Sequence, residues 1–463
     1  MTGRTTPTGP DNRRMSETFA DRWGVPVRAA GPAAVAVLDQ AIEDLVALAG
    51  DPVRRAEAAI AADGDLTLAR IYRAYLSLYA TSAAGRAEAA DLLAPLAASP
   101  AATGPSGERE AHHLAAARAW ADGDWPAAGR ALRRALLAHP RDLLALKVAQ
   151  DIYFFIGNRH ELRDVVARVL PAWPERDQAW GYVQGMYAFG LEENADYQGA
   201  ETAARRALAR EPRDVWAAHA LAHVFEMEGR HEAGVAFLSA SSPDWRESFF
   251  AVHNWWHLGL YLLELGKDDD ALALYDERIR AVSSAEWLDI VDAASLLWRL
   301  ALYGTDVRAR AAALTADIAD LVGTPEYIFN DWHAVMAFGL AGDHDRVARL
   351  LAANREIAVP TNRHAAERAG TALLADFAAF AAGDPAAAVD LLVDVRPEAN
   401  AVGGSHAQRD VIDVTLIAAA ARSGQSQLAR ALVSERVARK PSADTSARAL
   451  LRANGGSESW LTW

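Results

Sequence analysis

Two pairs of histidines, each spaced four residues apart, have the clearest capacity for chemistry in this sequence. His219 and His223 form the first pair, and His253 and His257 form the second. Residues four apart lie on one face of an α-helix, so two such helices packed side by side direct four imidazoles into one space. Imidazole nitrogens bind transition metals and change charge near neutral pH. The spacing therefore predicts a polar site between two helices.

One interpretation of these histidines is a divalent metal site for iron, copper or zinc. The two pairs, with His333 as a fifth ligand, supply enough nitrogen for either a closed or an open site. The HExxH motif of zinc proteases is absent, because Ala220 and Asn254 follow the first histidine of each pair. The chain contains no cysteine, so a metal would depend on imidazole and carboxylate ligands.

A second interpretation is acid–base chemistry or binding of an anionic or aromatic small molecule. His223, His257, Asp292 and Arg299 are its predicted catalytic groups, and Asp292 and Arg299 share one helical face with Ser295. Near the C-terminus, a set of polar residues that includes Asp410 recurs at helical spacing. These residues either belong to the same groove or are charges that complement the start of a helix. The predicted ligand-binding residues are Trp256, Ser295, Trp298, Arg299, His406, Arg409 and Asp410.

A third interpretation assigns the histidines and tryptophans to the core. Each histidine then makes an ordinary hydrogen bond between helices, and no site exists. The sequence leaves these three interpretations open. The remaining histidines are expected at turns or on outer faces: His112, His113, His139, His160, His231, His344 and His364.

The elements that position these residues are predicted to be helices throughout. Apolar residues recur at three and four spacing from about Pro32 onward, and no strand-like alternation of useful length appears. We expect a disordered segment at residues 1–14, an N-terminal helical cap at 15–104 and a repeat array at 105–463. Two units beginning at Gly181 and Val215 are 34 residues apart, the tetratricopeptide period. The predicted fold class is all-α, a right-handed superhelix of helical hairpins with a concave site around 215–340.

The chain resembles tetratricopeptide repeat proteins, and more narrowly the tetratricopeptide repeat protein 38 family. The narrower resemblance is carried by segments that include GMYAFGLEE, HALAHVFEMEGRHEAG, HNWWHLGLYLLELG and NDWHAVMAF. In peptide-binding tetratricopeptide domains, positions 2, 5, 6 and 9 of a unit's first helix face the groove. That register places His219, His223, His253, His257 and His333 on the concave wall. The resemblance implies a helical-repeat fold and, from similar proteins of antibiotic biosynthetic clusters, an oxidative or tailoring role.

Net charge and hydropathy limit the classes of partner that we expect for this chain. The formal net charge of −14 disfavours nucleic acid and anionic membranes. No uncharged apolar run reaches about 18 residues, and the N-terminus lacks a signal-peptide core, so we expect a cytoplasmic protein without a membrane span.

The leading functional prediction is recognition of a small polar ligand or a short peptide end. A metal-dependent tailoring enzyme is the alternative, and a protein-interaction scaffold is the third. Whether the chain is an enzyme, and whether it forms a homodimer, stays open.

Overall fold

The computed structural model describes residues 17–97, 104–319 and 323–456. Within them the fold is all-α, as predicted, and consists of a solenoid of helical hairpins apart from one short β-hairpin. The predicted disordered segment at residues 1–14 lies outside the described residues. The division predicted at 104/105 stays a prediction. α5 begins there, at Gly104, and one hydrophobic core extends from Trp23 to Leu451 across that point.

The β-hairpin was not predicted. Strands β1 (Glu17–Ala20) and β2 (Pro26–Ala29) pair antiparallel. The Asp21 side chain accepts hydrogen bonds from the backbone N–H groups of Trp23 (3.0 Å) and Val25 (2.8 Å), which closes the turn. The strands are four residues each, too short for alternation to stand out in the sequence.

The helices follow in chain order. The first part of the chain forms α1 (Pro32–Val46), α2 (Pro52–Ala62), α3 (Thr67–Tyr79), α4 (Ala83–Ala97), α5 (Gly104–Ala121), α6 (Trp125–Ala138), α7 (Leu143–Phe155) and α8 (Arg159–Ala167). The middle part forms α9 (Trp180–Glu192), α10 (Tyr197–Arg210), α11 (Val215–Glu228), α12 (His231–Trp245), α13 (Ala251–Glu264), α14 (Asp268–Leu274), α15 (Trp287–Leu302) and α16 (Arg308–Ile318). The last part forms α17 (Ile328–Ala341), α18 (His344–Ala353), α19 (Pro360–Ala365), α20 (Thr371–Ala381), α21 (Pro385–Val395), α22 (His406–Arg422), α23 (Ser426–Arg439) and α24 (Asp444–Ala453).

Local chemistry defines the ends of the helix that carries the first histidine pair. Asp214 precedes α11, and its side chain accepts a hydrogen bond from the Ala217 N–H at 3.0 Å, the usual role of an N-cap aspartate. Gly229 ends the helix with φ at 69°, a left-handed conformation that glycine adopts without steric cost. α11 is therefore fixed at both ends by its own sequence.

The superhelix curves until distant repeats touch. The Asn330 side chain donates to the Thr81 hydroxyl at 2.8 Å, and the Tyr327 hydroxyl donates to the Phe155 carbonyl at 3.0 Å. α22 packs against α11 and α15, and α24 packs against α13. The inner wall around the histidine pairs is therefore covered by the C-terminal helices and forms part of the core, where the sequence suggested an open concave surface.

None of the helices in the described parts of the chain combines the length and the apolar run that a bilayer crossing requires.

Candidate metal centre

The four paired histidines meet between α11 and α13. One nitrogen of each of His219, His223, His253 and His257 lies within 4.8 Å of the corresponding atoms of the other three. The side-by-side packing of α11 and α13 produces this convergence, because each pair occupies one face of its helix. All four residues are buried, with exposed fractions between 0 and 4%.

Three of the four Nε2 atoms converge on one point. Nε2 of His219 lies 2.9 Å from Nε2 of His223 and 3.1 Å from Nε2 of His253. His257 completes the group, with its ring centroid 4.5 Å from that of His223 and 5.1 Å from that of His219. Neither nitrogen of His257 has a hydrogen-bond partner. The group thus contains more buried nitrogens than its own hydrogen bonds can satisfy.

Carboxyl groups lie behind two of the imidazoles. Nδ1 of His253 is 2.8 Å from the nearer carboxyl oxygen of Asp292 on α15. Nδ1 of His223 is 3.3 Å from Oε2 of Glu192 on α9, although not in hydrogen-bond geometry. Such carboxyl groups behind imidazoles are a regular feature of metal sites, where they orient the ring and raise its basicity.

Burial favours the neutral form of three of the four imidazoles. It lowers the pKa of His219 and that of His257 well below the usual value, with the neighbouring histidines adding to the effect. Burial also lowers the pKa of His223 to about 4, although Glu193 and Glu226 act in the opposite direction. Neutral imidazole is the form that binds metal.

His333 does not join this group. It is 1% exposed, and its Nδ1 lies 2.7 Å from the Phe329 carbonyl one turn earlier on α17. Its pKa falls to about 3, chiefly because it is buried. His333 therefore has its own partner on its own helix, and its role as a fifth ligand stays a prediction.

The predicted catalytic arginine and its neighbours bind one another and α22. Arg299 is 4% exposed and donates to the Ser295 hydroxyl and, at 2.8 Å, to the Ala407 carbonyl. Burial lowers its pKa to about 10. The indole N–H of Trp298 donates to the Thr415 hydroxyl at 2.9 Å. These contacts hold α22 against α15.

Trp256 adjoins both histidines of its own helix. It is completely buried, stacks on His253 at 5.2 Å between centroids and meets the His257 ring edge-on at 4.9 Å. The Arg299 guanidinium lies 5.5 Å from the Trp256 ring centroid. Trp256 therefore contacts both the imidazole group and Arg299.

The C-terminal predicted residues divide between two ionic groups. His406 and Arg409 lie against Glu193, with His406 Nε2 at 3.7 Å and Arg409 Nη2 at 3.6 Å from Glu193 Oε2. Asp410 instead pairs with Arg436 at 2.9 Å. Their predicted role in ligand binding stays a prediction.

Two pockets in the structure lie away from the four paired histidines. A surface pocket of about 570 Å³ is lined by residues 354–371, remote in sequence from the histidine pairs. A cavity of about 10 Å³, beside Glu264, Arg299 and Asp410, has room for roughly one water molecule. The four paired histidines line neither.

Two histidines expected at the surface are buried. His113 is 0% exposed and its Nε2 lies 3.0 Å from Asp142, whereas His231 is 4% exposed beside the Tyr261 ring. Both expectations were wrong, because each histidine adjoins a partner far away in the sequence. Reasoning from the sequence also missed Glu192 and Glu193, an adjacent acid pair at the end of an otherwise apolar helix.

No protein-family model matches this chain. Among solved structures, the APC/C hetero-tetramer Cut9–Hcn1 is similar over 87% of this chain and 92% of that chain, at 12% sequence identity and a TM-score of 0.34. A TM-score this low gives no basis for transferring a function.

Proposed function

We propose that this chain is a metal-binding helical-repeat protein that holds one transition-metal ion through His219, His223, His253 and His257. The observation that carries the proposal is the convergence of four buried imidazoles, with one nitrogen of each within 4.8 Å of the others. If these histidines were ordinary core residues, each acceptor nitrogen would face a hydrogen-bond donor. In this four-histidine group, not every acceptor has a donor.

Counting protons supports this proposal. A neutral imidazole carries one N–H. We assign that proton to Nδ1 in His253 and in His223, facing Asp292 and Glu192. Both Nε2 atoms then present lone pairs to Nε2 of His219, which has at most one proton to share between them. A cation at this point accepts all the lone pairs and removes the conflict.

The distances also suit a metal. Zinc–imidazole bonds of about 2.0–2.1 Å in a tetrahedron place ligand nitrogens roughly 3.4 Å apart. The closest pairs here are at 2.9 and 3.1 Å, so small side-chain rotations suffice to admit the ion. Imidazole suits zinc, copper, iron and nickel. Four neutral ligands leave the two positive charges uncompensated, and Asp292 and Glu192 can balance them.

A metal held by four imidazoles has no free coordination position. Catalytic zinc sites, by contrast, normally keep one position for water or substrate. Catalysis at this metal would require one imidazole to leave, and His257, with neither nitrogen hydrogen-bonded, is the least restrained. Five expectations from the sequence stay predictions: the oxidative or tailoring role, membership in the tetratricopeptide repeat protein 38 family, small-ligand or peptide binding, the homodimer and the cytoplasmic location.

Metal analysis of tag-free protein tests the proposal. Wild-type protein is stripped with chelator, reconstituted separately with Zn²⁺, Cu²⁺ and Fe²⁺, and passed through a desalting column before the metal is counted. We expect one ion per chain for at least one metal, and loss of that ion in His257→Ala. His231→Ala is the matched control, since His231 is buried outside the group. Failure of all three metals to bind wild-type protein, or full retention in His257→Ala, would overturn the proposal.

A further inference from the structure

A second group of metal-binding side chains lies beside the first. It consists of Glu192 and Glu193, at the C-terminal end of α9, and His406, the first residue of α22. One ligand atom from each lies within 4.8 Å of those of the other two. The three come from segments more than two hundred residues apart, and the contact of α22 with the inner wall brings them together.

Glu193 is held in place by its partners. One of its oxygens accepts the backbone N–H of His406 at 2.9 Å. The other is 3.6 Å from the Arg409 guanidinium. Glu193 is thus a fixed carboxylate beside the partly buried guanidinium of Arg409.

Glu192 has no such partners. It is 0% exposed, and neither of its oxygens makes a hydrogen bond. Nδ1 of His406 is likewise buried without a hydrogen-bond partner. Leaving such atoms unsatisfied is costly, and a bound cation satisfies a carboxylate and an imidazole nitrogen together. Glu192 Oε2 also lies 3.3 Å from Nδ1 of His223, but neither Glu192 oxygen nor Nδ1 of His406 has a hydrogen-bond partner, and these atoms point to a ligand of their own.

We propose that Glu192, Glu193 and His406 form a second site, which binds a divalent cation of the harder first-row type represented by Mn²⁺. Two carboxylates and one imidazole favour manganese or ferrous iron over the softer ions that an all-imidazole set prefers. Glu192 has two oxygens, so one can face His223 while the other binds the cation. The two sites therefore differ in the metals they select.

Charge and access agree with this assignment. The Glu192 oxygens have no hydrogen-bond donor, and a divalent cation supplies the positive charge that an ionised Glu192 lacks. The His406 side chain is 23% exposed, so this site, unlike the four-imidazole group, has a route to solvent.

Electron paramagnetic resonance of Mn²⁺ tests the second site. Tag-free protein is stripped of metal, loaded with one equivalent of Zn²⁺, and titrated with Mn²⁺ while the free-ion signal is recorded. We expect one Mn²⁺ per chain in wild type. In Glu193→Gln, which keeps an oxygen for the His406 N–H, and in His406→Ala, affinity should fall more than about 100-fold, beyond the 10–100-fold typical of outer-shell residues. Glu211→Gln changes a partly exposed carboxylate at the end of α10; it is the control and should bind as wild type does.

Counting zinc in the same samples separates this proposal from the first. Mn²⁺ bound by wild type and lost in Glu193→Gln and His406→Ala supports the second site. Zinc retained in those variants shows in addition that the four-imidazole site is intact, and absence of zinc from every sample counts against the first proposal alone. Two results would overturn the second site: no Mn²⁺ bound by wild type, or Mn²⁺ retained in both Glu193→Gln and His406→Ala. Mn²⁺ lost only in His257→Ala would place the ion in the four-imidazole site and would also overturn it. His406→Ala changes a partly exposed residue, so it remains a usable test if Glu193→Gln fails to fold.

Discussion

The Nε2 atoms of His219 and His253 lie 3.1 Å apart, although the two residues are separated by 34 positions in the chain. Two neutral imidazole nitrogens at this distance need one shared proton. Nε2 of His219 faces the same demand from His223 at 2.9 Å. The packing of α11 against α13 therefore brings three Nε2 atoms together. With the Nδ1 protons assigned as above, lone pairs outnumber protons at this point, and each prediction about metal follows from that excess.

Replacing the carboxyl group behind His253 should weaken zinc binding without abolishing it. Asp292→Asn keeps the shape of the side chain but removes the charge that polarises the His253 ring at 2.8 Å. We expect the zinc dissociation constant, measured by competition with a chelator, to rise about 10–100-fold.

Asp289→Asn is the control for that substitution. Asp289 lies on the same helix one turn earlier and hydrogen-bonds Ser284 instead. Its zinc affinity should match that of wild type. An unchanged affinity in Asp292→Asn would show that the Asp292 carboxyl group does not support the metal ligand.

Lys440 joins the two histidine-bearing helices at their C-terminal ends. Its Nζ lies 2.6 Å from Glu226 of α11 and 3.0 Å from Glu264 of α13. Lys440→Met leaves Glu226 as a buried charge without its cation, and we expect the free energy of unfolding, measured in urea, to fall by about 3–5 kcal/mol.

The neighbouring residue provides the comparison for Lys440. Arg439→Met removes a cation whose side chain is 55% exposed and which pairs with Asp413 at 2.8 Å. Exposed pairs contribute about 0–1 kcal/mol. Equal effects of the two substitutions would contradict the assignment of Lys440 as a buried link between α11 and α13.

The local features of this fold follow from the sequence, and the long-range features do not. The unit start predicted at Val215 is the first residue of α11, because apolar spacing and caps are local signals. The shared helical face of each histidine pair is local too, so the four-imidazole group was foreseeable as an arrangement.

Contacts between distant segments were not foreseeable. His406 meets Glu193 across 213 positions and Lys440 meets Glu226 across 214. Both contacts exist because C-terminal helices cover the inner wall. The residue pattern within α22 or α23 does not indicate that these helices pack back against that wall. The burial of Arg299, predicted to be a groove residue, has the same cause.

Asp331 should make stability depend on pH. Burial raises the pKa of this carboxyl group, at the first turn of α17, to about 7. An unfolded aspartate titrates near 3.9, so between about pH 4 and pH 7 the folded state binds a proton that the unfolded state has lost. Stability from this group is therefore present below about pH 4 and is lost as the pH rises to 7.

Asp331→Asn removes that dependence. Relative to wild type, the variant should gain on the order of 4 kcal/mol in unfolding free energy between pH 4 and pH 8, given about 1.4 kcal/mol per pKa unit. Urea unfolding of metal-free protein at several pH values measures the difference. The exposed Asp345→Asn is the control. Parallel pH profiles for wild type and Asp331→Asn would contradict the assignment.

X-ray absorption spectroscopy of the zinc-loaded protein tests the central claim most directly, because it counts and identifies the atoms around the metal. The four-imidazole site predicts a first shell of four nitrogens at about 2.0–2.1 Å with the outer-shell scattering of imidazole rings. A shell made up mainly of oxygen atoms, without imidazole scattering, would contradict it.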